Sequence, residues 1–320
     1  MELSLAEALE KGEEVDKVSI PFVRYQFEFR VRTTIMLPDY AGSAIRGAFG
    51  RSLRHLACMT HQSDCKSCPL YRSCPYSKIF ETPPPENHSL QKFSQIPSGY
   101  VIEPPCWGRK VYEPGESLIF SLVLFGSALN SLAVVIYAFQ KAFDFDVGHG
   151  KADLVSVKAL NLASDAVIYG SGIHSVVDHP AYTVVNVPKG GEQTIQLETP
   201  LRLQKNGNAI EPEDITARAF FSTLLRRVAL LMEFHNSTPL AVDFLERVIN
   251  AEEIPVKKDL QWQDWVRYSS RQKQMMHLGG VTGTMSFSGL DSIWRILLAV
   301  GEYSHLGKNA SFGLGKYHVC

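Results

Sequence analysis

Hydrophobic and polar positions alternate through Tyr25, Phe27, Phe29 and Val31, inside a run from Val18 to Arg32 rich in Val, Phe, Tyr and Ile. That period of two predicts a strand with one buried face. The period then changes. From Ser43 to Cys58 the apolar residues Ile45, Ala48, Phe49, Leu53 and Leu56 share a helical stripe, with Arg46, Arg51 and Arg54 mostly off it. Leu118 to Phe139 carries no charge for 22 residues, long enough to cross a bilayer. Gly126-Ser127 and Asn130-Ser131 divide this run into a β-rich part ending at Phe125 and a helical part from about Leu129. A buried strand followed by a buried helix is therefore expected, and no membrane span. A strand near Leu154 to Leu160 follows.

A similar order returns in the second half. Thr194 to Leu203 reads as a strand, Asp214 as the N-cap of a long amphipathic helix to Phe234, and Trp262 to Ser270 with Gly283 to Ser288 as a hairpin. Leu290 to Glu302 reads as a helix and Phe312 to Val319 as a closing strand. Strand, helix, strand, strand, helix, strand is the order of a ferredoxin-like or RRM-like domain. The expected fold is α+β: two such domains in tandem, residues 1–170 and 171–320, with the boundary within Asn161 to His179. Residues 58–106 hold five of the six cysteines and eight of the 17 prolines, so they read as an insertion of loops and turns in the first domain.

Charge adds asymmetry. The formal net charge is −1, so any polyanion-binding surface must come from uneven distribution. Residues 1–17 carry six acids against Lys11 and Lys17, whereas residues 260–320 carry six Lys or Arg against three acids. The N-terminal residues have neither a basic region nor a long apolar run, which makes the cytoplasm the expected location.

Two segments carry chemistry. In Gly307-Lys308-Asn309-Ala310-Ser311-Phe312-Gly313-Leu314-Gly315-Lys316-Tyr317, the glycines allow close backbone approach, and free N–H groups in such a loop can cradle phosphates. Lys308 and Lys316 add charge, and Phe312 and Tyr317 add surfaces for base stacking. A helix cap followed by a turn into a strand fits the spacing as well. The second segment is Cys58, Cys65, Cys68 and Cys74, spaced C-x6-C-x2-C-x5-C. In a reducing compartment four thiols so close suit a structural zinc ion, with an iron-sulfur cluster as the other ligand they could hold and His55 or His61 as substitute donors. Cys106 and Cys320 read as ordinary thiols.

Trp262 to Lys273, Leu278-Gly279-Gly280 and the run from Gly301 to Tyr317 resemble the CRISPR precursor-RNA processing endoribonucleases of the RAMP superfamily. So do Tyr40 to Gly50, the end of the cysteine insertion at Cys74 to Glu81, and the short turn Gly148-His149-Gly150-Lys151. The resemblance implies cleavage of CRISPR repeat RNA by the ribose 2′-OH without a metal ion, leaving a 2′,3′-cyclic phosphate and a 5′-OH. The product would be a guide RNA for an effector complex, with other effector subunits as partners and no DNA or membrane. The family often draws a catalytic histidine from the first helix or the loop after it, which points to His55, beside Arg51 and Arg54. His305, just before Gly307-Lys308, is the other candidate, with Lys308 for charge stabilisation and Tyr40 for positioning. Each histidine is also placed to cap a helix C-terminus. RNA contacts are expected from Arg46, Arg51, Arg54, Arg267, Arg271, Lys273, Gly307, Lys308, Gly313, Gly315 and Lys316. Trp262, Trp265 and Tyr268 interleave with Arg267 and Arg271, which strengthens those two. The alternatives are a non-catalytic RNA-binding RAMP subunit and a zinc-stabilised module with a protein partner, which would lack a clustered basic groove.

Overall fold

A computed structural model describes residues 3–85, 96–108, 110–160, 165–173, 175–269 and 274–320; of 267–269 and 274–277 it describes the backbone alone. The chain forms two compact units. The N-terminal unit comprises 21–183 with 234–237, and the C-terminal unit comprises 1–20, 184–233 and 238–320.

In the N-terminal unit the elements are β1 (Phe22–Thr33), α1 (Gly42–Ala57), α2 (Pro75–Phe80), β2 (Tyr100–Glu103), β3 (Ser117–Phe125), α3 (Leu132–Phe145), β4 (Lys151–Leu160) and β5 (Ala166–Gly170). The sheet order β2-β3-β1-β4 is that of a ferredoxin-like fold, and β5 extends it on the β4 side. Along β1 the buried Tyr25, Phe27, Phe29 and Val31 alternate with more exposed Arg24, Gln26, Glu28 and Arg30, as the period of two predicts. The uncharged run from Leu118 is β3 and α3. Its Phe120 and Phe139 meet in one core at 5.0 Å, joined by Phe49 of α1 against Phe139 (4.4 Å) and Phe29 of β1 against Phe143 (4.1 Å). Each such buried ring contributes about 1.5–3 kcal/mol. Among the described residues no helix is long and apolar enough to cross a membrane.

The C-terminal unit repeats the plan with β6 (Gln193–Leu201), α4 (Ala217–Asn236), β7 (Val256–Gln263), β8 (Gly280–Phe287), α5 (Ser292–Ser304) and β9 (Tyr317–Val319). Its sheet order β7-β8-β6-β9 is again ferredoxin-like. Phe220 and Phe221 of α4 pack on Phe287 at 5.2 and 4.8 Å, and Phe221 on Trp294 at 4.8 Å.

Four expectations change. Residues 1–20 belong to the C-terminal unit, not to a 1–170 domain, because their partners lie there: Lys17–Ile20 pairs between Leu3–Ser4 and Thr183–Asn186, and Ser292 Oγ donates to Gly12 O at 2.5 Å. The N-cap of α4 is Thr216, whose Oγ1 accepts from Ala219 N–H at 3.2 Å, rather than Asp214. Trp262 lies on β7, opposite Val281 of β8, while Val266–Ser269 and Gln274–His277 form a separate hairpin. Last, β9 begins only at Tyr317, since Ala310–Phe312 forms a 3-10 turn.

Candidate nucleic-acid interface

The glycine segment runs from the end of α5 across the end of β6. Several of its amides are already used. Lys308 N–H donates to Arg202 O (2.9 Å), Gly313 N–H to Ala310 O (2.9 Å) and Gly315 N–H to Pro200 O (3.0 Å). Lys316 N–H donates to Thr199 Oγ1 (2.9 Å), and that hydroxyl donates to Gly313 O (2.8 Å). A loop half sunk in the protein must satisfy its donors internally, so these amides are not the phosphate cradle the spacing suggested. The glycines serve the fold: Gly315 has φ +67°, and a Cβ there would overlap the Leu306 carbonyl oxygen. Phe312 and Tyr317 are buried too, with Tyr317 Oη donating to Leu298 O at 2.9 Å, so neither ring offers a stacking surface.

The side chains at this edge are what face solvent. Lys308 is exposed. Half-buried Arg202 donates to Gly279 O at 2.7 Å and lies 6.0 Å from the ring of half-buried Trp262, which packs against Gly279. Leu278 N–H donates to Trp265 O (2.9 Å), which places the base of the short hairpin at the same edge. Arg267 lies on that hairpin, in its backbone-only part, and Arg271 and Lys273 lie outside the described residues. Lys316 is half-buried and paired with Glu198 at 2.9 Å. Burial alone would raise the Glu198 carboxyl, but hydrogen bonds and charge from Lys316 and His318 hold it below the ordinary carboxylate range.

Of the four catalytic candidates, two are buried. His305 is 0% exposed, with φ 54°, at the C-terminus of α5, where its N–H donates to Gly301 O at 2.9 Å. In this conformation it closes the helix with its side chain fully buried. Beside it Arg227 Nε donates to Ser304 O (2.6 Å), and burial pushes that guanidinium down to about 10. Tyr40 is 3% exposed, its ring tilted against Trp107 at 4.8 Å, and burial with the Glu103 charge drives its phenol well above the usual range. His55 is exposed, like Arg51, near the C-terminal end of α1. Tyr40 precedes the other end of that helix, so the two stand roughly 20 Å apart and share no site. Arg46 and Arg54 turn inward. Arg46 lies over the Phe80 ring at 4.2 Å, and Arg54 donates to Gln62 O (2.5 Å) and Ser63 O (3.0 Å).

The N-terminal unit carries a counterpart of the glycine loop. Gly148-His149-Gly150-Lys151 follows α3 as Gly313-Leu314-Gly315-Lys316 follows α5, and Lys151 N–H donates to Thr33 Oγ1 at 2.9 Å, matching Lys316 and Thr199. Thr33, Thr199 and Arg202 escaped the sequence reading. The repeated Gly-x-Gly-Lys after the second helix of each unit was the signal that could have led to the threonines.

A family model named AF_1859_N, described as an N-terminal domain, matches residues 20–181, half of the chain. A second, described as CRISPR-associated endoribonuclease Cas6, matches residues 195–317, which include the glycine segment. The match over residues 20–181 places the chain in the AF_1859_N family, and its residues 195–317 are similar to the Cas6 endoribonucleases. The ferredoxin-like strand order of both sheets accords with that match. An uncharacterized protein of Archaeoglobus fulgidus is 24% identical over 88% of this chain and 92% of its own length. Among solved structures, a Cas6 product complex superposes with a TM-score of 0.56 at 14% identity, covering 93% of this chain and 100% of that one. A partial Cas6-RT-Cas1–Cas2 complex gives 0.56 at 12% identity, covering 93% of this chain and 46% of that chain. Cas6 of Thermus thermophilus gives 0.50 at 14% identity, covering 94% and 99%.

Proposed function

We propose that this protein binds CRISPR repeat RNA and cuts precursor transcripts into guide RNAs by attack of the ribose 2′-OH, without a metal ion in the reaction. The observation that carries the proposal is the edge made by exposed Lys308 with half-buried Arg202 and Trp262 beside the short hairpin. Cations there neutralise phosphates and the indole face can stack on a base. The RNA supplies its own nucleophile, so the protein must hold the strand, stabilise charge on the phosphate and move a proton. His55, exposed near Arg51, is the side chain assigned to proton transfer. The similar Cas6 product complex supports a bound reaction product, and the Cas6-RT-Cas1–Cas2 complex supports Cas1 and Cas2 as partners.

The test is incubation with cognate repeat RNA in EDTA, with the product ends mapped. Cleavage to a 2′,3′-cyclic phosphate and a 5′-OH is expected, with a loss of about 10² to 10⁴-fold in rate for His55→Ala. Arg202→Ala and Lys308→Ala should weaken RNA binding and lower its salt dependence. A requirement for added Mg²⁺ would overturn the reaction proposed. The second reading, a subunit that holds RNA without cutting, is favoured by the burial of Tyr40 and His305. It predicts tight binding and intact RNA for the wild-type chain.

A further inference from the structure

We propose that Cys58, Cys65, Cys68 and Cys74 form a structural zinc site that folds the segment between α1 and α2. All four line one small cavity of about 20 Å³, together with Arg54, Thr60, Leu70 and Tyr76. About 10–15 Å³ of such space holds a single water. The cavity is therefore large enough for a single ion.

The segment has no core of its own to hold it together. From 58 to 74 it contains no helix or strand and no fully buried residue; its half-buried side chains are the four cysteines with Leu70 and Tyr71. The cysteines thus occupy the positions a hydrophobic core would fill. The remaining ties are turns, with Cys68 N–H donating to Cys65 O (3.1 Å), Tyr71 N–H to Cys68 O (2.9 Å), Cys74 N–H to Leu70 O (2.7 Å) and Ser67 N–H to the Asp64 carboxylate (3.1 Å), and two arginine side chains, Arg54 on the carbonyls of Gln62 and Ser63 and Arg72 on that of Pro84. Ordering a stretch this long on such ties, without a core, is unfavourable.

The surroundings suit thiolate ligands. Arg54 and Thr60 line the same cavity as Cys58, and Thr60 Oγ1 lies 3.3 Å from Cys68 Sγ. Such donors orient metal-bound sulfurs and offset their charge. Binding would release four thiol protons and leave the site with two net negative charges, which the Arg54 guanidinium faces. Among the described residues no three donor side chains stand close enough together to share an ion as placed; the thiols ring the cavity. Ordinary rotation about their Cα–Cβ bonds is the movement the proposal requires.

The site is tested without RNA, so its failure is independent of the function proposed above. Purified wild-type protein, kept reduced, should contain one zinc per chain by elemental analysis and release it as an organomercurial titrates four thiols. Cys106→Ser and Cys320→Ser, both at exposed positions, should retain it. Cys65→Ser and Cys68→Ser should lose it; if they fail to fold, the wild-type titration and cobalt substitution, with its thiolate charge-transfer absorption, decide alone. Metal-free reduced protein with native structure, paired disulfides, or iron with sulfide in place of zinc would each overturn the proposal.

Discussion

Replacing Thr199 with valine removes one hydroxyl and keeps the branched shape. That hydroxyl donates to Gly313 O at 2.8 Å and accepts from Lys316 N–H at 2.9 Å, so the change strands a carbonyl and an amide inside the glycine loop. A hydrogen bond contributes about 0.5–1.5 kcal/mol, and leaving a buried group unpaired costs about 1–3 kcal/mol, which puts Thr199→Val at roughly 2–4 kcal/mol. Thr33→Val supplies the internal comparison. Its hydroxyl accepts from Lys151 N–H at 2.9 Å, but at an exposed strand end where water can replace it, so about 0.5–1 kcal/mol is expected. Thr199→Ser keeps both bonds and should cost under about 1 kcal/mol. Of the four tryptophans, Trp262, Trp265 and Trp294 lie in the C-terminal unit, so urea unfolding followed by tryptophan fluorescence reports mainly on the unit that Thr199 serves. Equal costs for Thr33→Val and Thr199→Val, or a neutral Thr199→Val, would refute the reasoning.

Glu198 makes the C-terminal unit sensitive to acid. A carboxyl whose folded pKa is depressed contributes stability above its unfolded value, near 4.5, and loses that contribution as the pH falls through the folded value. Glu198→Gln should flatten the stability profile below about pH 4.5, as read by unfolding midpoints; an unchanged slope would argue against the pairing with Lys316 and His318. Gly301→Ala would ordinarily favour a helix by about 1 kcal/mol. Here a Cβ would overlap Tyr317 Oη, so a loss of about 1–3 kcal/mol is expected, partly recovered in the Gly301→Ala/Tyr317→Phe double variant. Glu14→Gln should lower the stability of the C-terminal unit alone by up to about 1 kcal/mol, because exposed Glu14 pairs with the buried Arg295 guanidinium, which also donates to Asp291 O and Pro188 O. Differential hydrogen exchange would show a shifted N-terminal unit if that assignment were mistaken.

Most of the fold was legible because it is written in local periodicity. The alternation along β1, the stripe on α1 and the Gly-Ser break after Phe125 each predict the element found. What escaped depends on pairing between distant residues. Lys17–Ile20 looks like the start of the Val18 strand, yet it pairs in another sheet, and nothing within a short window distinguishes those fates. Trp262 and Gly279 lie 17 residues apart and meet across the β7 and β8 pair, which local spacing read as part of a nearer hairpin. The candidate site was harder still. His305 and Lys308 are three residues apart with opposite burial, because one closes a helix against Gly301 while the other stands on the turn beyond it. Arg46 and Arg54 share a helix face pattern with solvated arginines, but Phe80 and the carbonyls of Gln62 and Ser63 draw them inward from outside that helix.

The membership of residues 1–20 in the C-terminal unit bears on the order of events at the ribosome. Gly12 and Glu14 are made first, and Ser292 and Arg295 emerge 280 and 281 residues later. At 5–20 residues per second that is a wait of roughly 15–60 seconds, during which the whole N-terminal unit can fold. The helix Leu5–Lys11 carries its own capping box, Ser4 with Glu7, but its apolar Leu5, Ala8 and Leu9 have no finished surface to meet in that interval. The acidic residues around them keep the waiting segment soluble, which gives the charge asymmetry of the chain a role in synthesis as well as in the finished protein.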